Sequence, residues 1–396
     1  MSARIIKENV YSVGAIDWDE RHFHGYTYVT KRGVTYNSYL IMDEKITLID
    51  TVRDGFQKEW LGNIKAVTDP SKIEVVIINH IEPDHSGGFP EIVKLCPNAQ
   101  FYGTEKARAG LLKYYGVQAK NWTSVKSGAS VNIGKRTLDF IDAAMLHWPD
   151  NMFTYSAYDK ILFSNDGFGQ HYATDKVFDD EVDYAAFMDE LQKYYANILW
   201  PFSQVLAAKL AAIAKLNLQI ELIAPSHGLV LRKYIPEVME KYLFWSKNST
   251  VNKIAVVFET MWKSTEAMAK KIVEGIASEG VDAVLFDVTK TDRTDIAAYM
   301  LDAKGFIFGS STHDGEMLPV IAGFLHFLKG SKAKNRKAFA FGSYGWSGEA
   351  VQDIQDTVGN IAEFGEPVKV VFASTQEELD KCFQAGKEFA KKIKAT

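Results

Sequence analysis

The chain has 396 residues, 47% hydrophobic and 24% charged, with a formal net charge of −5 at pH 7. That length suits two or three globular domains, and the mild acidity leaves no electrostatic footprint for nucleic acid. No run of about 18 apolar residues calls for a membrane span, and two cysteines, Cys96 and Cys382, exclude a disulfide framework, a Cys-based zinc module and an iron–sulfur cluster held by this chain alone.

Taken in order, the chain opens with Met1-Ser2-Ala3-Arg4-Ile5-Ile6-Lys7-Glu8, which lacks the apolar core of a signal peptide; a cytoplasmic location is the expectation. Up to residue 60, short apolar runs alternate with turns, and Val10–Val13, Tyr36–Ile41 and Ile46–Asp50 read as strands. An amphipathic stretch over 55–67 precedes a strand at 75–79, and Phe89–Leu95 and Glu105–Tyr115 read as helices. A second β-rich block follows: Ala119–Val125, Ser130–Ile133, Thr137–Ile141, Thr154–Ala157 and Ile161–Ser164. Helices over 182–199 and 203–216 lead to the strand Ile220–Ala224. This grammar suggests two sheets, each covered by helices on its outer side.

Near residue 250 the grammar changes. Lys247-Asn248-Ser249-Thr250 is polar and aperiodic, so domains are expected at 1–249 and 250–396. Beyond it, strands at Ile254–Phe258, Ala283–Asp287, Gly305–Gly309, Ala338–Gly342 and Val368–Phe372 alternate with helices at Glu266–Ser278, Thr294–Leu301, Leu318–Leu328, Glu349–Phe364 and Glu377–Ile393. Thr375 and Glu378 have the spacing of a capping box before the last helix. Five βα units describe an open, doubly wound parallel sheet.

Chemistry concentrates in Asn79-His80-Ile81-Glu82-Pro83-Asp84-His85-Ser86-Gly87-Gly88, two histidines and two carboxylates at the end of an apolar strand. Gly87 and Gly88 permit the sharp turn that would bring these groups onto a metal pair. His147 in Leu146-His147-Trp148-Pro149-Asp150, Asp166 in Asn165-Asp166-Gly167 and His227 in Ser226-His227-Gly228 each follow a predicted strand, so separate loops offer ligands to a common rim. One strand-end histidine is more often hydrogen-bonded structure than a ligand; three such signals beside a dense His-x-Glu-x-Asp-His cluster favour a metal site.

In the C-terminal half, the first strand ends in Thr260-Met261-Trp262-Lys263-Ser264-Thr265. Hydroxyls at a helix N-terminus suit a phosphate monoester, and no Gly-x-Gly-x-x-Gly fingerprint is present, which argues for a mononucleotide. Ser310-Ser311-Thr312-His313-Asp314 and Ser343-Tyr344-Gly345-Trp346-Ser347-Gly348 could hold a flavin ring, with Trp346 available for stacking. The competing reading, a response-regulator domain, normally needs clustered acids at the first strand, where this chain has one, Glu259, followed by hydroxyls. The three loops look like those of flavodoxin, and FMN is the implied cofactor.

The metal cluster and the two-sheet pattern resemble the metallo-β-lactamase fold. Its hydrolases commonly carry His-x-His-x-Asp-His, whereas Glu82 stands here at the second histidine. A carboxylate makes the site harder and more negative, which favours iron or manganese over zinc. Glu82 joined to a flavodoxin-like half is the pattern of the flavodiiron proteins, a likeness that covers the whole chain, including Gly14-Ala15-Ile16-Asp17-Trp18 and Tyr194-Tyr195-Ala196-Asn197. The resemblance implies that His80, Glu82 and His147 hold one iron, that Asp84, His85 and His227 hold the other, and that Asp166 bridges them. In some relatives the residue at His85 is replaced by water. His24, His171 and Tyr195 are implied to approach the open face and hydrogen-bond substrate.

The implied activity is reduction of dioxygen to water, of nitric oxide to nitrous oxide, or of both, in oxidative or nitrosative stress protection. A head-to-tail homodimer, alone or as a dimer of dimers, is implied, with each flavin beside the partner's diiron centre. The chain ends at Thr396 without a Cys-rich rubredoxin module, so an external donor is expected, rubredoxin first and a reduced deazaflavin second. Two alternatives differ in class: a binuclear metallo-hydrolase with an appended flavodoxin-like domain, and a flavin electron carrier whose N-terminal half is structural.

Overall fold

A computed structural model describes residues 3–395 and divides the chain into two compact units. One comprises the chain up to Tyr194 and Gln204–Tyr242; the other comprises Tyr195–Ser203 and the chain from Leu243 onward. The division thus falls a few residues before the polar linker and assigns a short helical segment, 195–203, to the second unit.

The first unit holds two facing sheets. Seven strands run in the order Arg4–Lys7, Val10–Ser12, Tyr39–Ile41, Thr47–Ile49, Val75–Ile77, Gln100–Gly103 and Asn121–Ser124. From Thr47–Ile49 onward they pair parallel. Five strands form the other sheet, in the order Ser130–Asn132, Thr137–Asp142, Met152–Ser156, Ile161–Asn165 and Leu222–Pro225, with only the last pair parallel. The core between them joins Val10, Ile41, Ile49, Val75 and Ile77 of one sheet to Leu138, Phe140, Ile161, Phe163 and Leu222 of the other. Alternation explains the choice: Leu138 and Phe140 point inward, Asp139 between them is half-buried, and Thr137 and Asp142 at the strand ends are exposed. Each such side chain contributes about 1.5–3 kcal/mol on burial.

In the second unit the parallel strands lie in the order Asp282–Asp287, Val251–Phe258, Ala303–His313 and Lys337–Tyr344, with Glu363–Phe364 and Val368–Val371 both on the outer edge of the last. Strand order reverses between the first and third strands in sequence, which opens a crevice at their C-terminal ends. The capping box before the last helix is formed: Thr375 N donates to Glu378 Oε2 at 2.8 Å, and Glu378 N donates to Thr375 Oγ1 at 3.3 Å.

Three local expectations are corrected. The helix expected over 182–199 stops at Tyr194 and continues as a π-type turn, Tyr195–Leu199, then a tight turn, Trp200–Phe202, before Ser203–Ala214. Pro201 has no N–H for the helical ladder, so the regular hydrogen-bond register breaks ahead of it. The helix expected over 349–364 ends at Val358 against Gly359, which frees Glu363–Phe364 to pair with Lys337–Ala338. A helix at Ile235–Ser246 has no counterpart among the expected elements.

Candidate metal centre and nucleotide loops

All seven expected metal ligands converge, although they come from four loops. Their ligand atoms form two groups, His80, Glu82, His147 and Asp166 in one and Asp84, His85 and His227 in the other, each group within 4.8 Å. Asp166 divides itself between them. Its Oδ2 lies 3.3 Å from His80 Nε2 and 3.5 Å from His147 Nε2, while its Oδ1 lies 3.1 Å from His85 Nε2 and 3.8 Å from His227 Nε2. Glu82 Oε2 sits 3.2 Å from His147 Nε2, and Asp84 Oδ2 sits 3.1 Å from His227 Nε2.

The strand ends explain this convergence. Ile161–Asn165 and Leu222–Pro225 are parallel neighbours, so Asp166 and His227 leave the same end of one sheet. Asn165 ties the loops together with a left-handed φ of 49°, a region asparagine tolerates. Its Nδ2 donates to Ser226 Oγ at 3.0 Å, and its Oδ1 accepts from Asn151 Nδ2 at 2.9 Å. On the facing sheet, buried Asp50 accepts from both Asn79 N and Asn79 Nδ2, at 2.7 and 3.0 Å, just before His80. Burial pushes the Asp50 carboxyl up to about 6. The turn through 83–86 is helical, and Gly87 and Gly88 have ordinary negative φ values of −57° and −79°. Their smallness serves close approach instead: a Cβ on Gly87 would lie 2.2 Å from Asp54 N.

The electrostatics are those of a closely coupled set. Burial opposes charge on His80, but hydrogen bonds with Asp150 and Glu82 and the Asp166 charge raise it well above the ordinary imidazole value. Burial likewise opposes the charge on His85, yet Asp84 and Asp166 raise it to about 9. Glu82, Asp84 and Asp166 are held low by the surrounding histidines despite burial that would raise them.

The three residues expected at the open face fare differently. His24 is brought in, its Nε2 lying 3.0 Å from Glu82 Oε1; this contact raises its basicity against the effect of burial. His171 also reaches the centre, but as a wall. Its ring lies 5.0 Å from that of His227 and 4.5 Å from that of Phe23, and neither nitrogen makes a hydrogen bond among the described residues. Burial holds it well below the ordinary value, hence neutral. Tyr195 is a correction: its hydroxyl bonds Ser203 Oγ at 3.0 Å and its ring packs on Trp245. The neighbouring Tyr194 is the one at the centre, donating to Asp166 Oδ1 at 3.2 Å. One residue along a helix rotates the side chain by about 100°, so adjacent tyrosines face different ways. Sequence reasoning also missed Asp150, whose Oδ2 accepts from His80 Nδ1 at 2.9 Å, and Thr35, whose carbonyl lies 2.7 Å from His227 Nδ1. For Asp150 the signal was available, an acid three residues after a ligand histidine; a backbone carbonyl leaves none.

In the second unit the three expected loops meet at the C-terminal strand ends. Thr265 Oγ1 lies 2.9 Å from Ser311 Oγ and 3.0 Å from Ser343 Oγ, so one hydroxyl from each loop braces the others. Ser310 is likewise internal, accepting from Leu318 N at 2.9 Å. Ser264 Oγ donates to Phe372 O at 2.7 Å. Among the described residues, Thr260 Oγ1 is buried without a hydrogen bond ahead of helix Ser264–Ala277, where Lys263 turns the chain with φ 70°. Met261, Trp262 and Trp346 are exposed, the last at 79%; His313 and Asp314 are also exposed, while Thr312 and Tyr344 are half-buried. Gly345, Ser347 and Gly348 complete the loop, Gly348 with φ 76°.

Residues 34–228 match the family described as ODP family beta lactamase, and residues 256–386 match Flavodoxin. The chain is 42% identical to a nitric oxide reductase of Moorella thermoacetica, covering 98% of each. It is 39% identical to an anaerobic nitric oxide reductase flavorubredoxin of Vibrio vulnificus, covering 98% of this chain and 79% of that one. Among solved structures, it superposes on a rubredoxin oxygen:oxidoreductase of Desulfovibrio gigas with a TM-score of 0.97, at 33% identity and covering 100% and 99% of the two chains. A flavodiiron protein of Giardia intestinalis gives 0.93 at 37% identity, covering 100% and 97%.

Proposed function

The chain belongs to the flavodiiron protein family, and from that premise we propose that it is an oxidoreductase using FMN and a non-haem diiron centre to reduce dioxygen to water, nitric oxide to nitrous oxide, or both. The observation that carries the proposal is the divided carboxylate of Asp166, one oxygen toward each group of ligands. The donors fit two cations. Among the described residues, both oxygens of Asp84, Asp166 Oδ2 and both nitrogens of His85 are buried without a hydrogen bond, and buried charges of this kind are paired or coordinate metals. Glu82 biases the set toward iron. For FMN, the unpartnered Thr260 Oγ1 at a helix N-terminus fits a phosphate.

His80, Glu82 and His147 would hold one iron and Asp84, His85 and His227 the other, with Asp166 shared. When bound, the irons and the flavin supply the electrons for reduction. The chain's own groups do the rest. His24, more basic than usual beside Glu82, presents a proton at Nε2 on the partly open side. Tyr194 fixes Asp166 through its hydroxyl, and the rings of Phe23, Tyr28, His171 and Tyr194 pack together as a wall of the centre that excludes water.

An external donor, rubredoxin or a reduced deazaflavin, would feed electrons to a head-to-tail homodimer or dimer of dimers in the cytoplasm, with domains at 1–249 and 250–396. The protective role against oxidative or nitrosative stress follows from removing these gases. The hydrolase alternative is not favoured, since the named relatives are oxidoreductases. The test is anaerobic reduction of the loaded chain followed by separate pulses of dioxygen and nitric oxide. Consumption of at least one gas is expected; a chain loaded with iron and FMN that consumes neither overturns the proposal.

A further inference from the structure

A ligand imidazole has a second nitrogen, and the partner of that nitrogen sets both the orientation of the ring and how strongly it donates. Here the outer partners are unequal. His80 Nδ1 donates to the Asp150 carboxylate at 2.9 Å, His227 Nδ1 donates to the neutral Thr35 carbonyl at 2.7 Å, and His85 Nδ1 is buried without a hydrogen bond among the described residues. Asp150 is 2% exposed. The oxygen that meets His80 also accepts from Ile81 N at 2.9 Å, and the other oxygen has no hydrogen bond among the described residues. Its main chain is anchored as well, with Thr104 Oγ1 donating to Asp150 O at 3.1 Å. One buried negative charge therefore touches the ring of His80 and closes the loop that carries His147.

We propose that Asp150 is a positioning residue that makes the His80, Glu82 and His147 half of the centre the tighter metal site and lowers its reduction potential. The inference rests on the diiron reading above. A carboxylate behind an imidazole fixes the tautomer that leaves Nε2 free for the metal, and it increases the ring's basicity. A carbonyl does the first without supplying a charge. In the Asp84, His85 and His227 half no carboxylate hydrogen-bonds an Nδ1 among the described residues; buried Asp50, whose oxygens accept from Asn79, acts on His85 through its charge alone, so this is the half that loses metal first.

Asp150→Asn separates charge from geometry, because an amide oxygen still accepts from His80 and Ile81 N–H. The full chain, loaded with iron and FMN, is compared as wild type, Asp150→Asn and Asp150→Ala. Three quantities are read: iron retained against a graded chelator, the potential at which the diiron absorption and paramagnetic signals change, and FMN content as a check on folding. In the wild type, iron should leave in two steps. In Asp150→Asn the more tightly held iron should leave at about 10–100-fold lower chelator, the two steps should merge, and the potential should rise. Asp150→Ala should move both in the same direction; if it fails to fold, Asp150→Asn carries the test alone. An Asp150→Asn chain matching wild type in chelator profile and potential overturns the inference, since a purely structural role survives that change. A wild-type chain that takes up no iron overturns the diiron reading itself.

Discussion

At Asp166 one side chain serves two sets of histidines. Asp166→Ala removes an oxygen from each set; turnover of either gas should fall by at least about 100-fold, with FMN still bound. Loss of flavin together with turnover would point to misfolding instead. The two tyrosines separate function from packing. Tyr194→Phe removes the hydroxyl from Asp166 and should slow gas reduction, whereas Tyr195→Phe removes the bond with Ser203 and should cost about 1 kcal/mol in stability with turnover kept. Equal effects of the two on turnover would contradict this assignment. The protonation of the centre gives a pH prediction. A histidine raised in the fold stabilises fully below its unfolded value, near 6.5, and that stability is lost as pH rises through the folded value, about 9 for His85. The metal-free chain should therefore melt at lower temperature as pH climbs through this window. Iron must displace these protons, so its affinity should rise over the same window. Calorimetry of chelated and reloaded chain at several pH values reads both; a metal-free melting temperature that climbs would contradict the assignment.

The element that organises the centre is the turn at 83–88, and its form depends on space more than on torsion. Pro83 begins a single helical turn, Ser86 Oγ donates to Ile81 O at 2.7 Å, and Thr51 Oγ1 donates to His85 O at 2.6 Å. Gly87 then passes against the main chain at Asp54. Gly87→Ala should cost about 1–3 kcal/mol by overpacking and displace the His85 side of the turn. Gly62, with nothing within 4 Å of a Cβ and lying inside helix Gln57–Lys65, is the control; Gly62→Ala should stabilise by about 0.5–1 kcal/mol. Chemical denaturation of the two variants reads the difference, and a neutral Gly87→Ala would refute the spatial account. Among the elements, long periodic stretches were legible because burial repeats with the period of the backbone. The break at Pro201 was legible only in part: a proline announces the loss of one N–H, but not that the preceding turn widens to accommodate it.

Across the whole chain, metal ligands and nucleotide loops lie in different compact units, apart from the segment 195–203 that joins the second. Ligand binding stabilises the unit that binds it. Chelation should therefore lower the melting of the first unit and release no flavin, while removal of FMN should leave the iron content unchanged. Iron and flavin assayed in the same samples read this; joint loss of both on either treatment would show that the units do not bind independently.

The residues themselves determined the chemistry of the centre and the class of each half. His80-x-Glu82-x-Asp84-His85 lies within six residues, where chain connectivity alone keeps the groups close, and the second half alternates strands and helices at a fixed rhythm. The tertiary structure decided everything that depends on direction. Whether Tyr194 or Tyr195 meets Asp166, whether Asp150 lies behind His80, and how the oxygens of Asp166 are shared are all questions of where a side chain points. Residues 70 or more apart in sequence meet only after two sheets have packed, and a one-residue helical rotation or the end of a strand then sets the facing group. A local pattern records which groups are present; the packed strand ends determine which of them touch.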